Sequence, residues 1–301
     1  MPSFTTRAKD EILANKSIRQ NYRNQQSYGL MVFSRGFSAE CMEMLTRERR
    51  VADYYSRLVQ SVAPLCGTIT LTEEKPVAGQ PVYRVTVDDP LDRRVLHNHF
   101  AMLYPEGVTY DLLGGDDGAA AFLGGVFLAC GTLSDPITKY HIEFAIPREG
   151  LTEMLMELLQ EIGFHPLQSR RRGQTIIYIN ESEQIEDLLT YIDCPLLSME
   201  MMNAKIIKER RNAANRATNC DAANMDKVAD AAQQQIEAIN LVGIDSLPEE
   251  LRALAQLRLD NPYDSLRELG EKLSPPLSRS GVNHRLEKIF ALAEHCREDK
   301  L

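Results

Sequence analysis

The chain has 301 residues, 44% of them hydrophobic, with 43 Asp+Glu against 34 Lys+Arg for a net charge of −9. That length allows two domains with real cores at roughly 100–200 residues each, and that apolar share excludes wholesale disorder. No apolar run approaches the ~20 residues that span a bilayer, and the stretch from Met1 to Gln20 lacks the apolar core of a secretory signal. The expected location is therefore cytoplasmic.

Taken in chain order, the pattern predicts helices over Gln26–Phe37 and Val51–Val62, then strands over Gly67–Thr72 and Val82–Val87 joined by a Pro/Gly turn. Helices follow over Arg93–Leu103 and Ala119–Ala129, a strand over Tyr140–Ile146, and a helix over Glu149–Ile162. A strand over Thr175–Ile179 and a helix over Gln184–Tyr191 complete an α+β region. Two stretches repeat one another: Tyr28 to Phe37 and Leu123 to Thr132 both carry small residues along a helix with a Gly at its end. Small residues let two helices pack with close backbones, so two halves are expected to meet there. Asp116 and Asp117 in the Gly114–Gly118 segment read as helix N-cap residues, since their charge would repel a phosphate. The six cysteines lie far apart without a Cys-x-x-Cys pair, which points to neither a zinc site nor a disulfide framework. His97-Asn98-His99 lies within a predicted helix and spells a nuclease abbreviation by letters only.

After Cys194 the pattern turns wholly helical, and the domain boundary is placed near Leu196–Ala204, giving domains 1–200 and 201–301. Charge is distributed unevenly: from Asn203 onward 15 Lys+Arg face 16 Asp+Glu, whereas the preceding residues carry −8. Lys205, Lys208, Arg210, Arg211 and Arg216 face only Glu209, a concentration suited to phosphates and equally to a solvated linker helix. A long helix is predicted from Asp221 to Val242, with Met225, Val228, Ala232, Ile236 and Ile239 on one face and Gly243 to end it.

Three helices then fill 247–295. The first starts with Pro248 at its first position, carries Leu251, Leu254, Ala255 and Leu259, and stops at Asn261-Pro262. The second opens with Ser265 and Glu268 spaced as a capping box. The third begins near Ser278; with Val282 at the centre of its buried stripe, Leu286, Ile289 and Ala293 fall beside it. Ser280, Asn283, His284, Glu287 and Lys288 then face outward, with Arg279 and Arg285 on the flanks. Asn, Ser and Arg can read base edges and Lys or Arg can neutralise phosphates, so the face suits a helix-turn-helix on DNA. A helical module that contacts protein remains the other reading, and Glu287 opposes a pure phosphate face.

The segment from Asn219 to Asn224, the residues Gln233–Ile239, and above all Pro275-Pro276-Leu277-Ser278-Arg279-Ser280-Gly281-Val282-Asn283-His284-Arg285-Leu286 closely resemble the WhiA family of bacterial sporulation and cell-division transcription regulators. The resemblance runs through nearly the whole chain. It implies a pseudo-symmetric N-terminal domain similar to LAGLIDADG homing endonucleases, joined to an all-α C-terminal helix-turn-helix domain. In active endonucleases of that fold an acid precedes the final Gly of each repeat helix and holds a divalent metal. Alignment on Gly36 and Gly131 puts Arg35 and Cys130 there, neither of them a hard-cation ligand.

The expected function is a sequence-specific DNA-binding regulator of cell division, chromosome segregation or sporulation genes. No catalytic residue, metal, cofactor, membrane or small-molecule substrate is expected. The competing readings are a divalent-metal DNA endonuclease and a non-catalytic protein-interaction module. Ser280, Asn283 and His284 are expected at base edges, with Arg279, Arg285 and Lys288 on phosphates and Ser278 beside them. Lys208, Arg210, Arg211 and Arg216 are expected on the backbone outside that groove, with Asn215 and Asn219 hydrogen-bonding nearby. The expected partners are double-stranded DNA, which places the chain at the nucleoid, and a second transcription regulator or RNA polymerase.

Overall fold

A computed structural model describes residues 2–15, 21–74, 79, 81–105 and 107–298. The chain divides into two compact units, residues 1–208 and 209–301. The first opens with α1 (Phe4–Ala14), whose N-terminus is capped by Ser3 through the Thr6 amide. Two successions of like order follow. The first comprises α2 (Arg23–Val32), β1 (Gly36–Phe37), β2 (Met42–Thr46), α3 (Arg49–Val62), β3 (Ile69–Glu74), β4 (Val82–Val87) and α4 (Pro90–Leu103). A short helix α5 (Tyr110–Leu113) leads to the second: α6 (Asp116–Cys130), β5 (Gly131–Leu133), β6 (Ile142–Ala145), α7 (Leu151–Glu161), β7 (Leu167–Arg171), β8 (Gln174–Ile179) and α8 (Ser182–Tyr191).

Each succession builds an antiparallel four-stranded sheet among the described residues, with orders β1-β2-β4-β3 and β5-β6-β8-β7. Equal order in two sheets is the repeat that the two Gly-ending stretches announced. Gly36 and Gly131 occupy equivalent places, each opening the first strand of its sheet. The two repeat helices, α2 and α6, meet at close range through glycines. A Cβ on Gly29 would lie 2.2 Å from the carbonyl oxygen of Phe122, and one on Gly125 would lie 2.2 Å from that of Gln26. Around this pair sits a single apolar core that includes Leu30, Phe33, Phe122, Phe127, Phe144 and Ile177.

Several predicted elements are corrected here. The first repeat helix ends at Val32 rather than Phe37, because Arg148 from the second repeat donates to the carbonyls of Val32 and Ser34 and closes it there. The predicted strand Gly67–Thr72 lies two residues later, and the Pro/Gly turn after it falls largely outside the described residues. Asp116 and Asp117 stand in the first turn of α6, with Gly115 as its N-cap; their carboxylates accept from Tyr191 (3.1 Å) and Tyr22 (3.3 Å). The strand β1 occupies the end of the stretch predicted as helix to Phe37, and helices α1 and α5 and the strands β2, β5 and β7 lie where no element was predicted.

After α8, helix α9 runs unbroken from Pro195 to Val242, so the helix predicted from Asp221 begins 26 residues earlier. The stripe read on it is buried only from Ala232 onward; Met225 and Val228 are exposed. In the second unit a 3-10 turn (Ile244–Ser246) leads to α10 (Glu249–Asp260), α11 (Leu266–Lys272) and α12 (Arg279–Glu298). Pro248 is the N-cap of α10 rather than its first residue. Ala238 and Ile239 join Leu251, Leu254, Leu269, Val282, Leu286 and Ile289 in this unit's own core. No helix of the described residues is long and apolar enough to cross a membrane.

Candidate nucleic-acid interface

The short turns of the second unit are held by polar side chains rather than by apolar packing alone. Ser265 accepts from the Glu268 amide and Glu268 accepts from the Ser265 amide, so the capping box at α11 is complete. Between α10 and α11 the chain wraps around Arg258, which is 1% exposed. Its Nη1 donates to the carbonyl of Asp264 at 2.7 Å and more weakly to those of Pro262 (3.4 Å) and Asn261 (3.5 Å). Burial lowers the guanidinium's pKa and Asp264 opposes that shift. Lys272 ties the same turn from α11, donating to Asp264 (2.6 Å) and Asn261 (2.9 Å). The turn before α12 returns to α11, where the Leu277 amide donates to the carbonyl of Gly270 at 3.0 Å.

These restraints set α12 with Val282, Leu286, Ile289 and Ala293 buried. Ser278, Arg279, Ser280, Asn283, His284, Glu287 and Lys288 are exposed and Arg285 is half-buried, the face expected from the sequence. Ser278 caps the helix, accepting from the Gly281 amide at 3.2 Å. Not all of this face is free. Asn283 donates to Glu287 at 2.8 Å, and His284 Nδ1 lies 3.9 Å from the same carboxylate. Arg285 donates to the Glu250 carbonyl at 3.0 Å and Lys288 to the Glu250 carboxylate at 3.3 Å, so both reach back to α10. Arg279 and Ser280 carry no such tie among the described residues.

The basic segment on α9 is divided by helical geometry. At about 100° per residue, Lys208, Arg211, Asn215 and Asn219 share one side, Arg216 flanks it, and Arg210 points to the opposite side. Arg210, Arg211, Asn215, Arg216 and Asn219 are exposed. Lys208 belongs to the first unit, half-buried with its ammonium 5.1 Å from the centre of the Tyr140 ring, and Lys205 pairs there with Glu183 at 2.9 Å.

Two further cations escaped the sequence reading. A cleft of about 450 Å³ in the second unit is lined by Lys227, Gln235, Arg258, Ser265, Arg267, Arg279 and Asn283 among others. Lys227 on α9 and Arg267 in the first turn of α11 are remote in sequence from the Arg279–Lys288 cluster, and no local spacing joins them.

In the first unit, the positions before Gly36 and Gly131 present a donor set that does not fit a hard divalent cation. Arg35 is a cation 3.8 Å from Glu43. Burial pushes the Cys130 thiol up to about 12, so it stays protonated, and its Sγ lies 3.5 Å from the Val126 carbonyl. Lys9 is buried and lines the same cleft as Cys130, where burial lowers its pKa. Divalent ions of this class are held by anionic and neutral oxygens, not by a guanidinium, a protonated thiol and an amine.

Two family models match the chain: the WhiA LAGLIDADG-like domain over residues 119–211 and the WhiA C-terminal HTH domain over 214–293. A protein of Clostridium novyi named probable cell division protein WhiA is 32% identical, with 99% of each chain covered. Its namesake from Clostridium acetobutylicum is 34% identical over 85% of each. A crystal structure of full-length DUF199/WhiA from Thermatoga maritima shares the fold, with a TM-score of 0.57 at 21% identity over 98% of this chain and 99% of that one.

Proposed function

The chain belongs to the WhiA family, and we propose that it is a sequence-specific DNA-binding regulator acting on cell-division, chromosome-segregation or sporulation genes. The observation that carries this reading is α12: an apolar stripe holds it to α10 and α11 while Arg279, Ser280, Asn283 and His284 stand exposed. A helix of this kind enters a major groove with its first turns toward base edges. Asn283 has the amide that pairs with adenine, and Arg279 the fork that pairs with guanine or phosphate. Glu287 and Glu250 hold Asn283 and Lys288 in the free chain, so a duplex would have to compete with them for these donors. The names of the relatives support a role in cell division. Chromosomal DNA as partner would keep the protein at the nucleoid, and a second regulator or RNA polymerase would meet it there.

Capture of genomic fragments by the purified protein, followed by sequencing, tests this. A shared motif is expected among the bound fragments. Asn283→Ala is expected to lose about 1–3 kcal/mol at one base pair of that motif and to relax preference there. Random recovery of fragments, or an unchanged motif in the variant, would rule the assignment out.

Cleavage is not expected from this chain. Arg35 and protonated Cys130, at the positions before Gly36 and Gly131, supply no carboxylate to place an ion at a scissile phosphate. Incubation of the bound fragment and of random duplex with magnesium or manganese is expected to leave both intact, and cutting that co-purifies with the chain through successive columns would overturn this.

A further inference from the structure

The cleft between the C-terminal part of α9 and the three helices that follow has an unusual charge balance. Four cations, Lys227, Arg258, Arg267 and Arg279, are among its eleven lining residues, and no Asp or Glu is. Arg267 is partly neutralised by Glu271 at 3.0 Å on the outer surface. Lys227 and Arg279 have no acidic partner among the described residues. Two buried polar atoms in the same walls are also unspent: Arg258 Nε and Gln235 Oε1 have no hydrogen-bond partner. Cations gathered around one concavity repel each other, and the arrangement is relieved when a compact anion enters. The volume of about 450 Å³ lies within the range of small-molecule sites and holds far more than one bare ion.

We propose that this cleft is a phosphate-binding site of the DNA-binding unit, with Lys227 and Arg279 as the principal ligands. A tetrahedral phosphate accepts hydrogen bonds from several directions at once, which matches an ammonium and guanidinium forks arriving from three helices. The Gln235 acceptor adds a preference for a phosphate that carries a proton or a neighbouring hydroxyl. Two sources can supply the group: the backbone of a bound duplex or a free phosphorylated small molecule. Because Arg279 and Asn283 line the cleft and also stand on the proposed reading face, a free ligand there would alter DNA binding. The site itself does not depend on the DNA-binding reading; only the second arm of its test does.

In the first arm, inorganic phosphate is titrated into the full chain without DNA, at constant ionic strength, and binding is followed by calorimetry. Saturable binding is expected, at least fivefold weaker in Lys227→Gln and in Arg279→Gln and undetectable in the double variant. Both side chains are exposed, so the fold is expected to persist, and circular dichroism checks it. No saturable binding to the wild-type chain, or equal binding to the double variant, overturns the proposal. In the second arm, duplex binding is measured against salt. A salt slope lowered by about 0.9 in Lys227→Gln, a residue outside the reading face of α12, together with competition between phosphate and duplex, assigns the site to the DNA backbone. An unchanged slope in a Lys227→Gln chain that binds phosphate more weakly assigns it to a free phosphorylated ligand. A chain that binds phosphate but no DNA would refute the proposed function and leave the site standing.

Discussion

Gly125→Ala is expected to destabilise the N-terminal unit by about 3 kcal/mol or more, whereas Gly124→Ala, one residue away, is expected to be neutral or mildly stabilising. The added methyl at position 125 would sit 2.2 Å from the Gln26 carbonyl oxygen and 2.8 Å from the Leu30 amide nitrogen. Both are backbone atoms of α2, so no side-chain rotation relieves the overlap and the two repeat helices must separate. Separation opens the contact among Leu30, Phe33 and Phe122 at the centre of the core. At position 124 the same methyl would lie 3.7 Å from Ile12 Cγ2, an ordinary contact, and the helix gains from losing a glycine. Urea unfolding of the full chain, followed by a probe in the first unit, separates the two. Equal effects at both positions would refute close packing of the repeat helices as the keystone of this fold.

Arg258→Ala is expected to cost the C-terminal unit about 3 kcal/mol or more, and to abolish DNA binding as a consequence. The side chain is 1% exposed and supplies the hydrogen bonds to the carbonyls of Asn261, Pro262 and Asp264. Hydrogen bonds from a charged donor contribute about 1.5–3 kcal/mol, and removing so large a buried side chain also leaves a cavity under the turn. Arg258→Lys is expected to rescue in part, since all three bonds come from Nη1 alone, while the flat packing of the guanidinium is lost. Thermal unfolding followed in the second unit reads the effect. Wild-type stability in Arg258→Ala would show that the α10–α11 turn closes without it.

The two substitutions mark where sequence reading succeeds and where it stops. The buried and exposed faces of α12 were legible because a 3.6-residue period places Val282, Leu286, Ile289 and Ala293 together whatever lies beyond them. The capping box at Ser265 and Glu268 was legible for the same reason, since both its bonds close within three residues. The absence of acids before Gly36 and Gly131 needed only an alignment of the repeat. Arg258 gave no such signal. On sequence alone it is one more cation in a helix, and its burial follows from a turn that folds back over it.

Tertiary structure likewise decided the strands that local pattern could not show. The edge strand β7, Leu167–Arg171, is polar and mostly exposed, and it pairs only because β8 offers it an open ladder. The end of α2 was set by Arg148, 116 residues beyond Val32. Lys227, Arg267 and Arg279 come together in one cleft although 40 and 12 residues separate them along the chain. By itself the sequence determined the repeat, the helical end, the family and the exposed polar face of α12, because each rests on local patterns that survive wherever the rest of the chain packs. The closed sheets, the buried cation under the turn and the cleft it lines were decided by packing, because each is made by residues whose proximity only the folded chain creates.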